Sequence, residues 1–350
     1  MFKSNSFYVI LTAQILFLSV GVSSYNFVNF QHPNYYPYQF YDRYITDFHK
    51  FVTKFDKSYS SSEFWDRFDN FVDNMIRIEN HNKFATHHGY RLGVTRFADM
   101  TPYEWRNTYL SKSPPPNMES PFTHQYQQSE LQNRAKVPDS RDWRAEGWVT
   151  DVKDQGQCGS CWAFSSVAAL EGQYANVTGN LTSFSEQNLV DCVTNCSGCD
   201  GGWMNLAMEW VVENGIETEQ AYPYMGVDQS CAFNKSMSAA NFSSVVNITQ
   251  DDVDGLYHAV ATVGPISVAI DAEDDMMLYK SGIYKSTTCS TTMLDHGVAA
   301  VGYGVSLKGH KYYIIKNSWN ADWGMDGYIY WSRDIPNMCG IAHAASYPVV

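Results

Sequence analysis

Cys161 stands in the run Gln155-Gly156-Gln157-Cys158-Gly159-Ser160-Cys161-Trp162. A helix beginning at Cys161, capped by Ser160, would aim free backbone N–H groups and the positive end of its dipole at the sulfur. A thiol so placed should ionise more readily than usual, and a thiolate beside an imidazolium is a strong nucleophile. The same spacing admits other chemistry. Cys158 and Cys161 form a Cys-x-x-Cys pair, which could serve redox exchange or supply half of a zinc site. The run alone leaves these readings open.

The elements that would position Cys161 follow from patterning. Its helix runs through small and apolar residues to about Ala175, with Gly179 beyond the end. A second helix is expected after Ser185, and a third from Met204 to Asn214-Gly215. After residue 255 the apolar runs are short and strand-like: Ile266–Ile270, Val298–Tyr303, Tyr312–Lys316 and Tyr328–Trp331. A helical half followed by a β half makes an α+β unit of two lobes, and the cleft between lobes is a favoured place for a site.

Upstream segments have other roles. Lys3, the apolar stretch Phe7 to Val22 and the small residues Ser23 and Ser24 describe a secretory signal peptide over residues 1–24. Residues 25–48, dense in Tyr, Phe, Asn and Pro, read as a poorly ordered leader. From Ile45 to about Met100 the pattern is mostly helical. Phe64, Phe68, Phe71, Met75 and Ile78 form a stripe on one face, and Glu63 and Arg67, one turn apart, can pair. Residues 111–136 are a linker, in which Ser113-Pro114-Pro115-Pro116 cannot be helical. A protease cut is expected there, between about Gln127 and Val137.

A secretory route suits the eight cysteines, which read first as disulfides in an oxidising compartment, and six sequons at Asn176, Asn180, Asn195, Asn234, Asn241 and Asn247. The net charge of −13 divides unevenly, +2 over residues 1–136 and −15 over residues 137–350. So acidic a second part is a poor partner for nucleic acid or anionic membrane. It should attract the basic segment ahead of it. Acidification, by protonating its carboxylates, should loosen that hold.

Cys158-Gly159-Ser160-Cys161-Trp162 resembles the signature of the papain-like cysteine peptidases, in their cathepsin L-type branch. The resemblance implies partners at His296, in Asp295-His296-Gly297, and Asn317, in Lys316-Asn317-Ser318-Trp319, 135 and 156 residues downstream. It implies that Cys161 attacks the peptide carbonyl and His296 protonates the leaving amine. Asn317 would orient the imidazole, Trp319 would cover their hydrogen bond, and Gln155 with the Cys161 N–H would bind the oxyanion. Upstream, Glu63, Arg67, Phe71, Asn74, Ile78 and Asn82 match the family's inhibitory propeptide motif. Gly93-Val94-Thr95-Arg96-Phe97-Ala98-Asp99 matches its second motif, with Thr95 where Asn is usual.

The resemblance thus implies a papain-like two-lobed α+β fold over residues 137–350, preceded by a propeptide over 25–136 whose inhibitory helical part spans about 45–110. Gly201 and Gly202 would pair with an extended peptide. Trp203, Met204, Ala269, Leu294, Gly297 and Ala344 would line an apolar pocket for the second residue before the cut. Trp203 exceeds the aliphatic residue common there, so the pocket should be narrow. The implied disulfides are Cys158–Cys199, Cys192–Cys231 and Cys289–Cys339, leaving Cys161 free and Cys196 either free or competing for a partner. Asn320 and Asp326 stand where the family often has Gly. The expectation is a monomeric cysteine endopeptidase, lysosomal or extracellular, that cleaves proteins or peptides and is held inactive by its own propeptide. No cofactor, metal, nucleic acid or membrane is expected after signal removal. The competing readings are an inactive homologue that binds rather than cleaves, and an exopeptidase. The intact Gln155, Cys161, His296 and Asn317 argue against the first; the lack of a long His-containing insertion near Cys199 argues against the second.

Overall fold

The computed structural model describes residues 38–112, 123–125 and 137–350. The expected signal peptide and most of the expected cleavage region lie outside them. Before residue 137 the elements are α1 (Tyr38–Lys54), α2 (Glu63–Asn82), the short α3 (Ala85–His88), β1 (Tyr90–Leu92), α4 (Pro102–Tyr109) and β2 (Thr123–Gln125). Then come β3 (Arg141–Asp142), α5 (Cys161–Thr178), α6 (Glu186–Cys192) and α7 (Met204–Asn214). The β-rich half holds β4 (Ser244–Asn247), α8 (Val253–Thr262), β5 (Ile266–Ile270), α9 (Asp274–Met277), β6 (Tyr279–Tyr284), β7 (His296–Val305), β8 (Lys311–Lys316), β9 (Tyr328–Ser332) and β10 (Ala345–Val349).

α5 is the central helix. Every residue from Cys161 to Gln173 is buried, as its all-round apolar sequence requires, and Gly179 closes it with a left-handed φ of 74° that a side chain would disfavour. α5 packs against α7 with Trp162, Val167 and Leu170 in the core of the helical lobe, and its other face meets β5, β7 and β10. The sheet order is β1-β6-β9-β8-β7-β5-β10-β4-β2, with β3 paired to β7. Adjacent strands are antiparallel except for β6–β9 and β2–β4. Both ends of this sheet are segments from before residue 137. β1 pairs Tyr90 with Gly282, and β2 pairs Thr123 with Val245. Edges that would otherwise offer unpaired backbone groups are thereby covered.

The upstream domain is built on aromatic packing. Phe48, Phe68 and Phe71 are fully buried, with the Phe48 ring centroid 5.2 Å from Phe68 and 5.3 Å from Phe71. Polar residues of α2 pin the following loop. Asn74 Nδ2 donates to the Ala98 and Met100 carbonyls, both at 2.9 Å, and the Asn82 amide brackets Leu92. Thr95 reaches across to the β-rich half, its hydroxyl donating to the Met277 carbonyl at 2.7 Å.

Three expectations are corrected here. The leader is helical from Tyr38, because α1 gains a buried apolar face only by packing on α2. The linker carries β2, a strand made by pairing rather than by its own pattern. Glu63 and Arg67 do not pair. Glu63 accepts from the Ser60 N–H and hydroxyl, while Arg67 bridges to Glu104 at 2.6 Å and to the Asp99 carbonyl. A carboxylate held across the domain is a better partner for Arg67 than a solvated neighbour one turn away.

Candidate active site

Cys161 opens α5, and its disulfide-free sulfur is fully buried. Cys158, the other half of the Cys-x-x-Cys pair, is bonded to Cys199 at 2.05 Å. Cys192–Cys231 and Cys289–Cys339 are the other bridges, so neither a redox pair nor a zinc half-site exists at 158 and 161. Ser160 occupies the position before α5 without capping it. Its hydroxyl instead meets the Tyr224 hydroxyl at 2.6 Å, and the Tyr224 hydroxyl also donates to the Gln155 carbonyl at 2.8 Å.

β7 begins at His296 and pairs there with Ile270 of β5. The next N–H, that of Gly297, donates to Cys161 Sγ at 3.3 Å, which brings the start of β7 against the start of α5. β8 ends at Lys316, so Asn317 follows on the neighbouring strand and its Oδ1 lies 2.8 Å from His296 Nε2. An amide oxygen there requires the proton on Nε2, leaving Nδ1 as the lone-pair nitrogen. Nδ1 is buried with no hydrogen-bond partner. Trp319 lies over the ring, centroids 4.6 Å apart and nearly parallel. Gln155 is fixed from the same loop, its Oε1 accepting from the Ser318 hydroxyl at 2.7 Å and its N–H donating to the Ser318 carbonyl. Ser318 directly follows Asn317 in sequence, yet nothing in its type announced this role.

The upstream domain crosses this arrangement as an extended chain after α4. The Tyr109 carbonyl accepts from Gln155 Nε2 at 2.9 Å, Ser111 N–H donates to the Asp295 carbonyl at 2.7 Å, and Lys112 N–H donates to the Asp200 carbonyl at 3.0 Å. Phe97 and Trp105 pack edge-on against Trp319. Covered in this way, both groups are pushed toward their neutral forms. Burial pushes the Cys161 thiol up to about 12, against the smaller lowering effect of the Gly297 N–H. Burial likewise pulls His296 down to about 4, against the Asn317 hydrogen bond. The expectation of a readily ionised thiol is therefore not met in this covered state. One backbone N–H and a helix end do not replace the lost water.

Trp203, Met204, Ala269 and Leu294 belong to one buried apolar cluster, with Ala344 packed against it. Gly297 lies beside it, paired with Ala269. Gly202 must be glycine, since a Cβ there would come within 2.7 Å of both the Trp162 ring and Cys196 Sγ. Cys196 is a free, half-buried thiol that accepts from Trp203 N–H at 3.4 Å, and burial raises it to about 11. Asn320 and Asp326 hold left-handed φ values of 65° and 56°, the conformation for which glycine is the usual choice. Asn176, Asn180, Asn195, Asn234 and Asn241 are exposed, whereas Asn247 is half-buried in β4. Among the described residues the one grouping of metal-binding types is Glu273 with Cys289 and Cys339, whose sulfurs are already bonded to each other.

Residues 137–349 match the papain family cysteine protease profile, and residues 48–105 match the cathepsin propeptide inhibitor domain. The chain is 44 % identical over 310 residues to a cathepsin L-like protein of Caenorhabditis elegans, covering 85 % of this chain and 89 % of that one. It is 44 % identical over 287 residues to procathepsin L of Mus musculus, covering 79 % and 83 %. Among solved structures, the digestive procathepsin L2 proteinase of the Tenebrio molitor larval midgut superposes with a TM-score of 0.83. Identity there is 39 %, over 87 % of this chain and 99 % of the other.

Proposed function

Because the chain belongs to the papain family of cysteine proteases, with a cathepsin propeptide inhibitor domain ahead of its catalytic domain, we propose that Cys161, His296, Asn317 and Gln155 are its catalytic residues. The protein is a cysteine endopeptidase made as a zymogen, and its own propeptide domain is the intramolecular inhibitor. The observation that carries the residue assignment is the Tyr109 carbonyl on the Gln155 amide. A peptide carbonyl already rests on the donor that an oxyanion would need, with Cys161 buried beneath the same extended chain.

With the cover removed, water returns and the thiol passes its proton to His296 Nδ1. The thiolate attacks the substrate carbonyl, and the oxyanion is held by Gln155 Nε2 and the Cys161 N–H. His296 gives its proton to the departing amine, leaving a thioester on Cys161. A water that His296 deprotonates then hydrolyses the thioester. Asn317 keeps the imidazole aligned throughout, and Trp319 shields that hydrogen bond.

Gly201 and Gly202 pair with substrate residues before the cut, and Trp203, Met204, Ala269, Leu294, Gly297 and Ala344 receive a hydrophobic side chain two residues before it. No helix among the described residues is long and apolar enough to cross a membrane. The signal-like start, the three disulfides and the sequons support passage through the secretory pathway to a lysosome or the cell exterior. A thiol-directed irreversible inhibitor tests the assignment. The matured enzyme should take one rapid label, on Cys161, and Cys161→Ala should lose that label and cleavage together. Cleavage retained in that variant would overturn it.

A further inference from the structure

Two guanidinium groups of the propeptide domain sit on carboxylates of the catalytic domain, one of them reaching Asp295, which directly precedes the proposed catalytic histidine. Arg106 on α4 donates Nε to Asp274 Oδ1 at 2.7 Å, and its Nη1 lies 3.7 Å from Asp295 Oδ2. Arg77 on α2 donates to Asp275 at 2.5 Å, and Asp275 also accepts from the Tyr90 hydroxyl at 2.8 Å. The carboxylates belong to the catalytic domain and the arginines to the segment that maturation removes. Among the described residues no Lys or Arg of the catalytic domain pairs with Asp274, Asp275 or Asp295. Maturation therefore vacates a seat that the zymogen shows occupied by arginine.

The chain direction places that seat. Residues after Tyr109 run past the Asp295 carbonyl, which accepts from Ser111 N–H, to Asp200, beside Gly201 and Gly202, where Lys112 N–H is bonded. Arg106 precedes Tyr109 and so lies on the opposite side of the Tyr109 carbonyl and Gln155. The Gly201 side was assigned above to substrate residues before the cut, so the Arg106 side receives residues after it.

We propose that Asp274, with Asp295 beside it, forms a guanidinium seat that favours substrates carrying arginine, and to a lesser degree lysine, on the C-terminal side of the cleaved bond. The seat deepens the proteolytic assignment and rests on it, because the sides of the cleft are defined by Cys161 and Gly201. Arg106 is then a resident occupant of a substrate subsite. Arginine outranks lysine because its fork can meet two carboxylates, as Arg106 does.

The test uses enzyme matured from the full-length chain and quenched peptides that share a hydrophobic residue two positions before the cut. These carry Arg, Lys, Ala or Glu at each of the first three positions after it. At one of those positions Arg should exceed Ala in kcat/KM by about three- to tenfold at low ionic strength, with Glu below Ala. About 0.5 M salt should remove most of the preference. Asp274→Asn should bring the Arg-to-Ala ratio close to one, and Asp274→Lys should invert it. Equal rates for Arg and Ala in the native enzyme, or an unchanged ratio in Asp274→Asn, overturn the proposal. If neither variant matures, the salt dependence of the native ratio decides it. Failure of the proteolytic assignment looks different: no peptide is cut and Cys161 takes no label.

Discussion

The covered active site makes a quantitative claim about one sulfur. An ordinary thiol with a value of 9.0 is about 1 % thiolate at pH 7; at about 12 the Cys161 fraction falls to about 10⁻⁵. The three-unit difference corresponds to roughly 4 kcal/mol by which burial disfavours the charged form. Alkylation by iodoacetamide follows the thiolate, so Cys161 in the intact zymogen should react about 10³-fold more slowly than an ordinary thiol. The matured enzyme, re-solvated and with an imidazolium partner, should exceed both. The perturbation is removal of the propeptide domain, and the assay is timed alkylation between pH 6 and 9, quantified on the peptide containing residue 161.

Steric shelter alone would also slow labelling, and the pH profile separates the causes. Shelter scales the rate and preserves the profile of the mature enzyme. A raised pKa makes the zymogen rate climb tenfold per pH unit through pH 9 with no plateau. Cys196 is an internal standard. It is raised to about 11 and only half-buried, so it should label faster than Cys161 in the zymogen and slower after maturation. A zymogen profile that levels off below pH 9, or Cys161 outpacing Cys196 before maturation, would refute the reasoning.

Other consequences concern single contacts. Gln155→Ala should lower kcat of the matured enzyme by about 10²–10³, the usual loss of one oxyanion donor, while iodoacetamide alkylation, which forms no oxyanion, changes little. Phe68→Ala empties the packed centre between α1 and α2 and should cost the propeptide domain about 3–5 kcal/mol. Melting of the zymogen in an inactive Cys161→Ala background should then show an early, separate transition. Replacing Cys289 and Cys339 together with Ser opens a loop closed over 50 residues and should cost about 2–5 kcal/mol, read as a lower urea midpoint.

How far the sequence carried is best judged at particular residues. α5, α7 and β5 were legible because each is long or bounded enough for its own apolar pattern to decide it. His296 opens β7 and Asn317 directly follows the adjoining β8, strands that the apolar runs foretold, and the family motifs singled the two residues out. What was not legible depends on something distant. α1 needs α2 to bury its aromatic residues, and β1 and β2 exist because the catalytic domain offers edges. Ser160 fails to cap α5 because Tyr224, 64 residues away, takes its hydroxyl. The raised Cys161 thiol of the covered state has the same origin. A helix terminus is visible in the sequence, but the chain segment that dries it is not.

Whether acid opens the zymogen depends on groups that pull in opposite directions. With Cys161 replaced by Ala, so that no thiol supplies the proton, His296 is held at about 4 in the covered state and would return toward 6.5 once wetted, so between those values only the open form binds the proton. Acidification then favours opening, by up to roughly 3 kcal/mol once the pH is below 4. Asp295 has the reverse sign. Burial holds it at about 7, against an ordinary 3.8, so between those values only the covered form binds the proton and acidification favours closure by a similar amount. The two nearly cancel from pH 6.5 to 4. Asp295→Asn removes the opposing term. In a Cys161→Ala background, cleavage of the linker by trace active enzyme, corrected for that enzyme's own pH profile, reports opening. The Asn variant should show a rise approaching tenfold per pH unit across that window, and the Asp295 protein a much shallower one. Parallel slopes would mean that burial of these two groups does not govern release.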